Sequence, residues 1–409
     1  MLPAPSLQPL KLDLSPLEAA GQCRHLPGLV FFDSALETGD AISIVAANPS
    51  EIVTGKSEDD WQVLREKIAD RQNIDHSGGG MPHGFAAGTI DYDGAFRFGF
   101  YDELLVFRHS DASWHASGEL ASRLRVTDPV AESSAPLRFT PQLPREQFCR
   151  MVGRAKDYIA AGDIYQVNLS QKFTAPWQDD ALKFYAALRQ CSPAPYAAYL
   201  DLCGRTVLSS SPELFLQMSG RRICTRPIKG TRPRRADATA DEKSAQDLVT
   251  SRKEIAELVM ITDLERNDLG QVCEYGSVQV SELLKLERYE QVFHLVSTVE
   301  GRLRDGVDHL TALRACFPGG SITGAPKKRA MEIIAELEPV ERGLYTGAIG
   351  WFGFNGESRF NIAIRTMIAE NGEAHFHVGA GIVADSDPDA EYEETLYKAR
   401  GILLAAERL

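Results

Sequence analysis

The 409-residue chain lacks a Cys-x-x-Cys pair, a long uninterrupted apolar run, an internal repeat and any low-complexity tract. Its seven cysteines, at 23, 149, 191, 203, 224, 273 and 316, are scattered and odd in number. That pattern offers neither a zinc spacing nor a paired disulfide framework, and it suits a reducing cytoplasm. No stretch approaches the roughly 20 apolar residues of a membrane-spanning helix. The opening MLPAPSLQPLKLDLSP has no apolar leader core. The expectation is a soluble cytoplasmic protein with no membrane partner. Positive charge is also in deficit: 44 Lys and Arg against 57 Asp and Glu give a net charge of −13. Such acidity argues against a nucleic-acid partner, and an anionic substrate would need clustered basic side chains or a metal ion to hold it. What is present is 44% hydrophobic residues, enough for a large core in one big domain or two.

Residues 1–140 read as a mixed region. LVFFDSAL and AISIVAANP predict short strands, and DDWQVLREKIADRQ predicts a helix. DHSGGGMPHG predicts a loop, and the Pro- and Ser-rich DPVAESSAPLRFTPQLP a boundary, so that residues 145–409 form the second region. There REQFCRMVGRAKDYIAAGD predicts a helix ending near Gly162, and DIYQVNLSQKF a strand with Val167 and Leu169 on one face. EKSAQDLVTSRKEIAELVMITDLERND predicts one long amphipathic helix. LYTGAIGWFGFNG, SRFNIAIRTMIAENG and EAHFHVGAGIVAD predict successive strands joined by Asn-Gly turns. A last helix is predicted with Asp387 as its N-cap and Pro388 at its first position.

Against the acidic background, RPIKGTRPR concentrates three arginines and Lys229 in nine residues. Spacing alone leaves a solvated loop open, but Pro227 stiffens the entry and Gly230 permits positive φ, which suggests a lysine held in place. Glu391, Glu394 and Lys398 share one face of the last helix, and Glu254 and Glu257 have the same i, i+3 relation in an earlier one. Two acidic pairs could converge on a hard cation such as magnesium, or be solvated faces with internal salt bridges. FPGGSITGAPKK has the G-x-x-x-x-G spacing at Gly319 and Gly324. Ala325 and Pro326 precede Lys327, however, and Lys328 stands where Ser or Thr is needed, which excludes a nucleotide loop. Its turn can still offer backbone N–H groups to a carboxylate. Arg365, flanked by apolar residues, needs an anionic partner if buried.

DIYQVNLS, SSSPELF, PIKGTRPR, ITDLERNDLG, HLVSTVEG, FPGGSITGAPK and GAGIVADSDPDAEYEET follow one another in this order. Together they resemble the chorismate-utilising family, which includes anthranilate synthase component I, aminodeoxychorismate synthase component I, and the isochorismate and salicylate synthases. The likeness is strong over about residues 145–409 and weak before them. It implies an α+β fold of two large antiparallel sheets packed as a sandwich with helices outside. Isochorismate and salicylate synthases carry a lysine where this chain has Gln166, which argues against both activities. Anthranilate synthases usually carry alanine where this chain has Lys229. The resemblance is therefore to the branch that aminates chorismate at C4; anthranilate synthase component I and a non-catalytic regulatory paralogue are the alternatives.

By that resemblance Lys229 is the nucleophile, Glu213 the general acid, and His294 stands beside the leaving hydroxyl. Tyr345, Arg365, Gly381 and Lys398, with Thr231, hold the substrate. Glu257, Glu391 and Glu394, with Glu254, hold Mg2+. The implied ammonia source is a separate glutamine amidotransferase subunit (component II), since no G-x-C-x-G nucleophile motif is present. Ser34, Pro195 and Tyr196 match the walls of the family's tryptophan pocket.

Overall fold

The computed structural model describes residues 7–36, 41–73, 80–126, 137–289 and 292–409. Most of the glycine triplet and of the Pro/Ser-rich boundary lies outside these residues. Two large antiparallel sheets dominate, one of twelve strands and one of ten. They pack face to face through a core in which Val30, Ile44, Leu200 and Ile368 of the first meet Phe85, Tyr101, Ile349 and Trp351 of the second. Helices cover the outer faces. Pro16–Cys23, Ala181–Cys191 and Pro388–Ala406 cover the first sheet. Glu58–Arg71, His309–Cys316 and the end of Arg252–Gly270 cover the second. Strand alternation accounts for this layering, since successive side chains point to opposite faces and each sheet needs cover on both. The class is α+β. No helix among the described residues is long and apolar enough to cross a membrane.

Both sheets run across residue 140. Val30–Asp33 pairs with Tyr196–Leu202 in one sheet, and Phe85–Ile90 pairs with Ala348–Gly353 in the other. The other predicted strands and the Glu58–Arg71 helix form, but SRFNIAIRTMIAENG is two strands, Glu357–Ile362 in the ten-stranded sheet and Thr366–Glu370 in the twelve-stranded one, parted where Arg365 turns to φ +49°. The last helix starts with the Asp387 carboxylate accepting the Ala390 N–H and Pro388 in its first turn. The long helix expected over residues 242–268 is instead two, Ala238–Val249 and Arg252–Gly270. The break falls at Thr250–Ser251, where the Ser251 hydroxyl accepts the Glu254 N–H and restarts the helix. Hydroxyl side chains compete for backbone groups at just such positions. The restart places Glu254 in the first turn of the second helix and Glu257 one turn on.

Candidate active site

The basic run forms the strand Ile228–Pro233 at the end of the ten-stranded sheet, against Val292–Arg302. Its arginines are neutralised one by one: Arg226 by Glu287, Arg232 by Glu254 at 3.3 Å, and Arg234 by Asp241 at 2.9 Å. Lys229 is turned into a cavity of about 530 Å³. A register shift between Lys229 and Thr231 leaves Gly230, at φ +81°, as the extra residue of a bulge. A Cβ there would lie 2.6 Å from Leu248 Cδ1 and 3.0 Å from Glu254 Oε2. The bulge sets Thr231 opposite His294, and Thr231 Oγ1 lies 2.9 Å from His294 Nδ1. Lys229 Nζ donates to the Ser321 carbonyl at 3.1 Å.

Glu213 follows Pro212 on the same wall and is buried. Burial pushes its carboxyl above the usual carboxylate range, with the Lys229 charge pulling the other way. Its Oε1 has no hydrogen-bond partner among the described residues. Burial, reinforced by Arg365, drives His294 down to about 3, so its imidazole is neutral. Arg365, itself at φ +49°, is half-buried and forms no ion pair among the described residues. A desolvated guanidinium of this kind calls for an anion. Lys398 donates to the Gly379 carbonyl at 2.9 Å and pairs with Glu394 at 2.8 Å. Tyr345 stacks on His377, ring centres 5.4 Å apart. Gly381 keeps the floor open, since a Cβ there would sit 2.5 Å from Gln166 Nε2.

Residues of both acidic pairs reach this cavity, but among the described residues no group of three or more stands close enough to hold a metal ion. Glu254, Glu257 and Glu394 line the cavity, while Glu391 stands behind, its Oε1 accepting from Ser386 Oγ at 2.6 Å. Lys253 reaches between them, 3.7 Å from Glu391 and 4.0 Å from Glu257. Glu257 Oε1 and Glu391 Oε2 are buried with no hydrogen-bond partner among the described residues. Burial raises Glu257; burial also opposes ionisation of Glu394, but Lys398, Lys253 and Lys229 together hold it below the usual range. Two oxygens short of partners on facing helices fit a hard, oxygen-seeking cation. Glu254 is already tied to Arg232. Ser34, Pro195 and Tyr196 line a separate cavity of only about 30 Å³, room for about one water and not for an indole.

Sequence reasoning did not single out Ser321, Lys253 or His377, all on the cavity wall. Lys253 stands four residues before Glu257, a spacing that signals a salt bridge within the helix. Nothing in the sequence signals its reach to Glu391 on another helix.

A lysine amine, a buried carboxyl group, an arginine with no ion pair among the described residues and a facing set of carboxylates share one cavity. That combination defines an active site built for a small, multiply charged molecule. The chain belongs to the family of chorismate binding enzymes, whose model matches residues 30–404. It is 50% identical over 282 residues to an anthranilate synthase component 1 of Haloarcula marismortui, covering 69% of this chain and 58% of that one. It is 43% identical over 327 residues to the aminodeoxychorismate synthase component 1 of Bacillus subtilis, covering 75% and 70%. The crystal structure of anthranilate synthase component I from Streptococcus pneumoniae superposes with a TM-score of 0.80 at 31% identity, covering 90% of this chain and 93% of that one. The match thus spans little more than half the length of the Haloarcula relative.

Proposed function

We propose that the chain is an aminodeoxychorismate synthase component I, converting chorismate and ammonia to 4-amino-4-deoxychorismate for para-aminobenzoate and folate synthesis. The observation that carries this reading is Lys229, which, unlike Arg226, Arg232 and Arg234 of the same run, forms no ion pair among the described residues and is turned into the cavity beside Glu213. The Lys229 amine attacks C2 of the ring. The double bonds shift, the C4–O bond breaks, and Glu213 gives its proton to the departing hydroxyl, which leaves as water. Ammonia then adds at C4, the double bonds return, and the C2–N bond releases its electron pair to Lys229. Covalent catalysis splits one difficult displacement into two easier ones. The enolpyruvyl ether is untouched. Arg365 and Lys398 hold carboxylates, and neutral His294 orients Thr231 near the leaving oxygen. A magnesium ion on Glu257, Glu391 and Glu394, with Glu254 at the margin, would supply Lewis-acid binding of the ring carboxylate. The ammonia comes from a glutamine amidotransferase partner.

Anthranilate synthase component I is the second reading, favoured by the 50% identity to the Haloarcula protein against 43% to the Bacillus one. Chorismate, an ammonium salt and Mg2+, with product mass measured, separates the two. A product that keeps the enolpyruvyl group is expected; anthranilate and pyruvate would sink the amination reading.

A further inference from the structure

The short turn Gly320–Ile322 is wedged between the cavity and the second half of the Arg252–Gly270 helix. On the cavity side, the Ser321 carbonyl accepts from Lys229 Nζ at 3.1 Å, and the Ser321 hydroxyl lies against the Glu213 carboxyl. One residue therefore touches both members of the reacting pair. On the helix side, Glu265 Oε1 accepts the Gly320 N–H at 3.0 Å. The glycine-rich turn offers its N–H to a carboxylate, and the carboxylate is the protein's own. Leu264 closes the remaining space: a Cβ at Gly320 would lie 2.6 Å from Leu264 Cδ2 and 3.2 Å from Glu265 Oε1. Arg342 holds the far end of the turn, donating to the Ile322 carbonyl at 3.2 Å. Ser321 is thus fixed between two brackets.

Glu265 is only 2% exposed, and its Oε2 has no hydrogen-bond partner among the described residues. Asp268, one turn on, is equally buried. Lys327 belongs to Asp268, at 2.5 Å, and also donates to the Cys316 carbonyl at 3.0 Å. Glu213 faces Glu265 from across the turn, and the Cys316 thiol from the His309–Cys316 helix. Burial first, and the Asp268 charge second, hold Glu265 well above the usual carboxylate range. A protonated carboxyl suits this place, because an ionised one would set a second buried negative charge beside Asp268. The remaining Glu265 oxygen is buried near the Ser321 hydroxyl and the Glu213 carboxyl, the two groups that meet on the cavity side of the turn.

We propose that Glu265 is a positioning residue of this active site: by bracketing Gly320 it sets, through Ser321, the placement of Lys229 and Glu213. The inference rests on Lys229 and Glu213 being the reacting pair. Small displacements of such a pair are costly, since a misplacement near 1 Å can lose on the order of 100-fold in rate. Glu265→Gln keeps an acceptor for Gly320 and carries no charge. Glu265→Met keeps the length and loses the acceptor.

The test follows chorismate consumption, whatever the product, together with acylation of Lys229 by an amine-directed reagent, read by peptide mass spectrometry. Glu265→Met is expected to lower kcat by about 10- to 100-fold while KM for chorismate stays within about twofold, because the carboxylate ligands are untouched. Its Lys229 should label faster than in the wild type. Glu265→Gln should restore native kcat and labelling and remove the part of the alkaline decline that Glu265 contributes, leaving the part set by Glu213. The sign follows from the raised value: the neutral form of Glu265 is lost as pH rises through it, and glutamine cannot ionise. Gly320→Ala disturbs the same bracket from the turn side, and it should reproduce the kcat loss if Glu265→Met does not fold. Native kcat and native labelling in Glu265→Met, or in Gly320→Ala, would overturn the proposal. So would a Glu265→Gln variant as impaired as Glu265→Met. A wild type that does not turn over chorismate is a failure of the functional reading instead, and the labelling comparison then decides the bracket alone.

Discussion

Lys229 is where charge and chemistry part. Its neighbours in the run, Arg226, Arg232 and Arg234, are each matched to a carboxylate. A cationic anchor for chorismate and a covalent nucleophile predict different behaviour for Lys229→Arg. Arginine keeps the charge but cannot serve as a neutral amine. Amination is expected to fall equally in Lys229→Arg and Lys229→Ala, and the wild type should yield a peptide adduct of chorismate less water at Lys229. Near-native kcat in the arginine variant would reduce the residue to an anchor. Glu213 makes a second residue-scale prediction. Its raised value keeps the acid form to higher pH than an exposed glutamate, and turnover should decline as pH climbs through that value. Glu213→Gln should lose about 100-fold or more in kcat, the usual worth of a general acid. A variant with intact kcat removes the residue from proton transfer.

Among the elements, the Arg252–Gly270 helix carries most of the argument. Glu254 and Glu257 stand in its first turns, and Glu265 and Asp268 near its end. Glu257→Gln and Glu394→Gln are each expected to weaken Mg2+ binding at least tenfold by calorimetry, with thermal unfolding little changed. Unaltered magnesium affinity in both would take these residues out of the metal site. Gly230→Ala should destabilise the bulge by more than about 1 kcal/mol, since positive φ and contact with Leu248 and Glu254 both oppose a side chain. Urea unfolding measures it. Much of this was legible in sequence: the i, i+3 acidic pairs, the Asp387 cap and the paired strands with Asn-Gly turns follow from local periodicity. The Ser251 break was not, because helical periodicity continues through it and the stop is decided by one hydroxyl. Nor was Glu265, since a glutamate in ITDLERNDLG looks solvated until the turn that covers it comes from some 55 residues away. The facing of Lys253 and Glu391 is likewise a product of tertiary packing.

For the molecule as a whole, the proposed division of labour has a direct check. The purified chain should aminate chorismate with ammonium salts and should be inert with glutamine as sole nitrogen source. Glutamine-dependent turnover without a second protein would refute the partner assignment. The crossing of both sheets at residue 140 has a different consequence. The chemistry-bearing residues all lie beyond that point, which makes the later region look like a portable catalytic module. Cutting there would strip Tyr196–Leu202 and Ala348–Gly353 of one neighbouring strand each at once. Two raw seams of unsatisfied N–H and C=O groups would open along the middle of the molecule, ready to stick to other chains. Evolution could therefore exchange the front third of such a protein only by supplying new strands in the same two places.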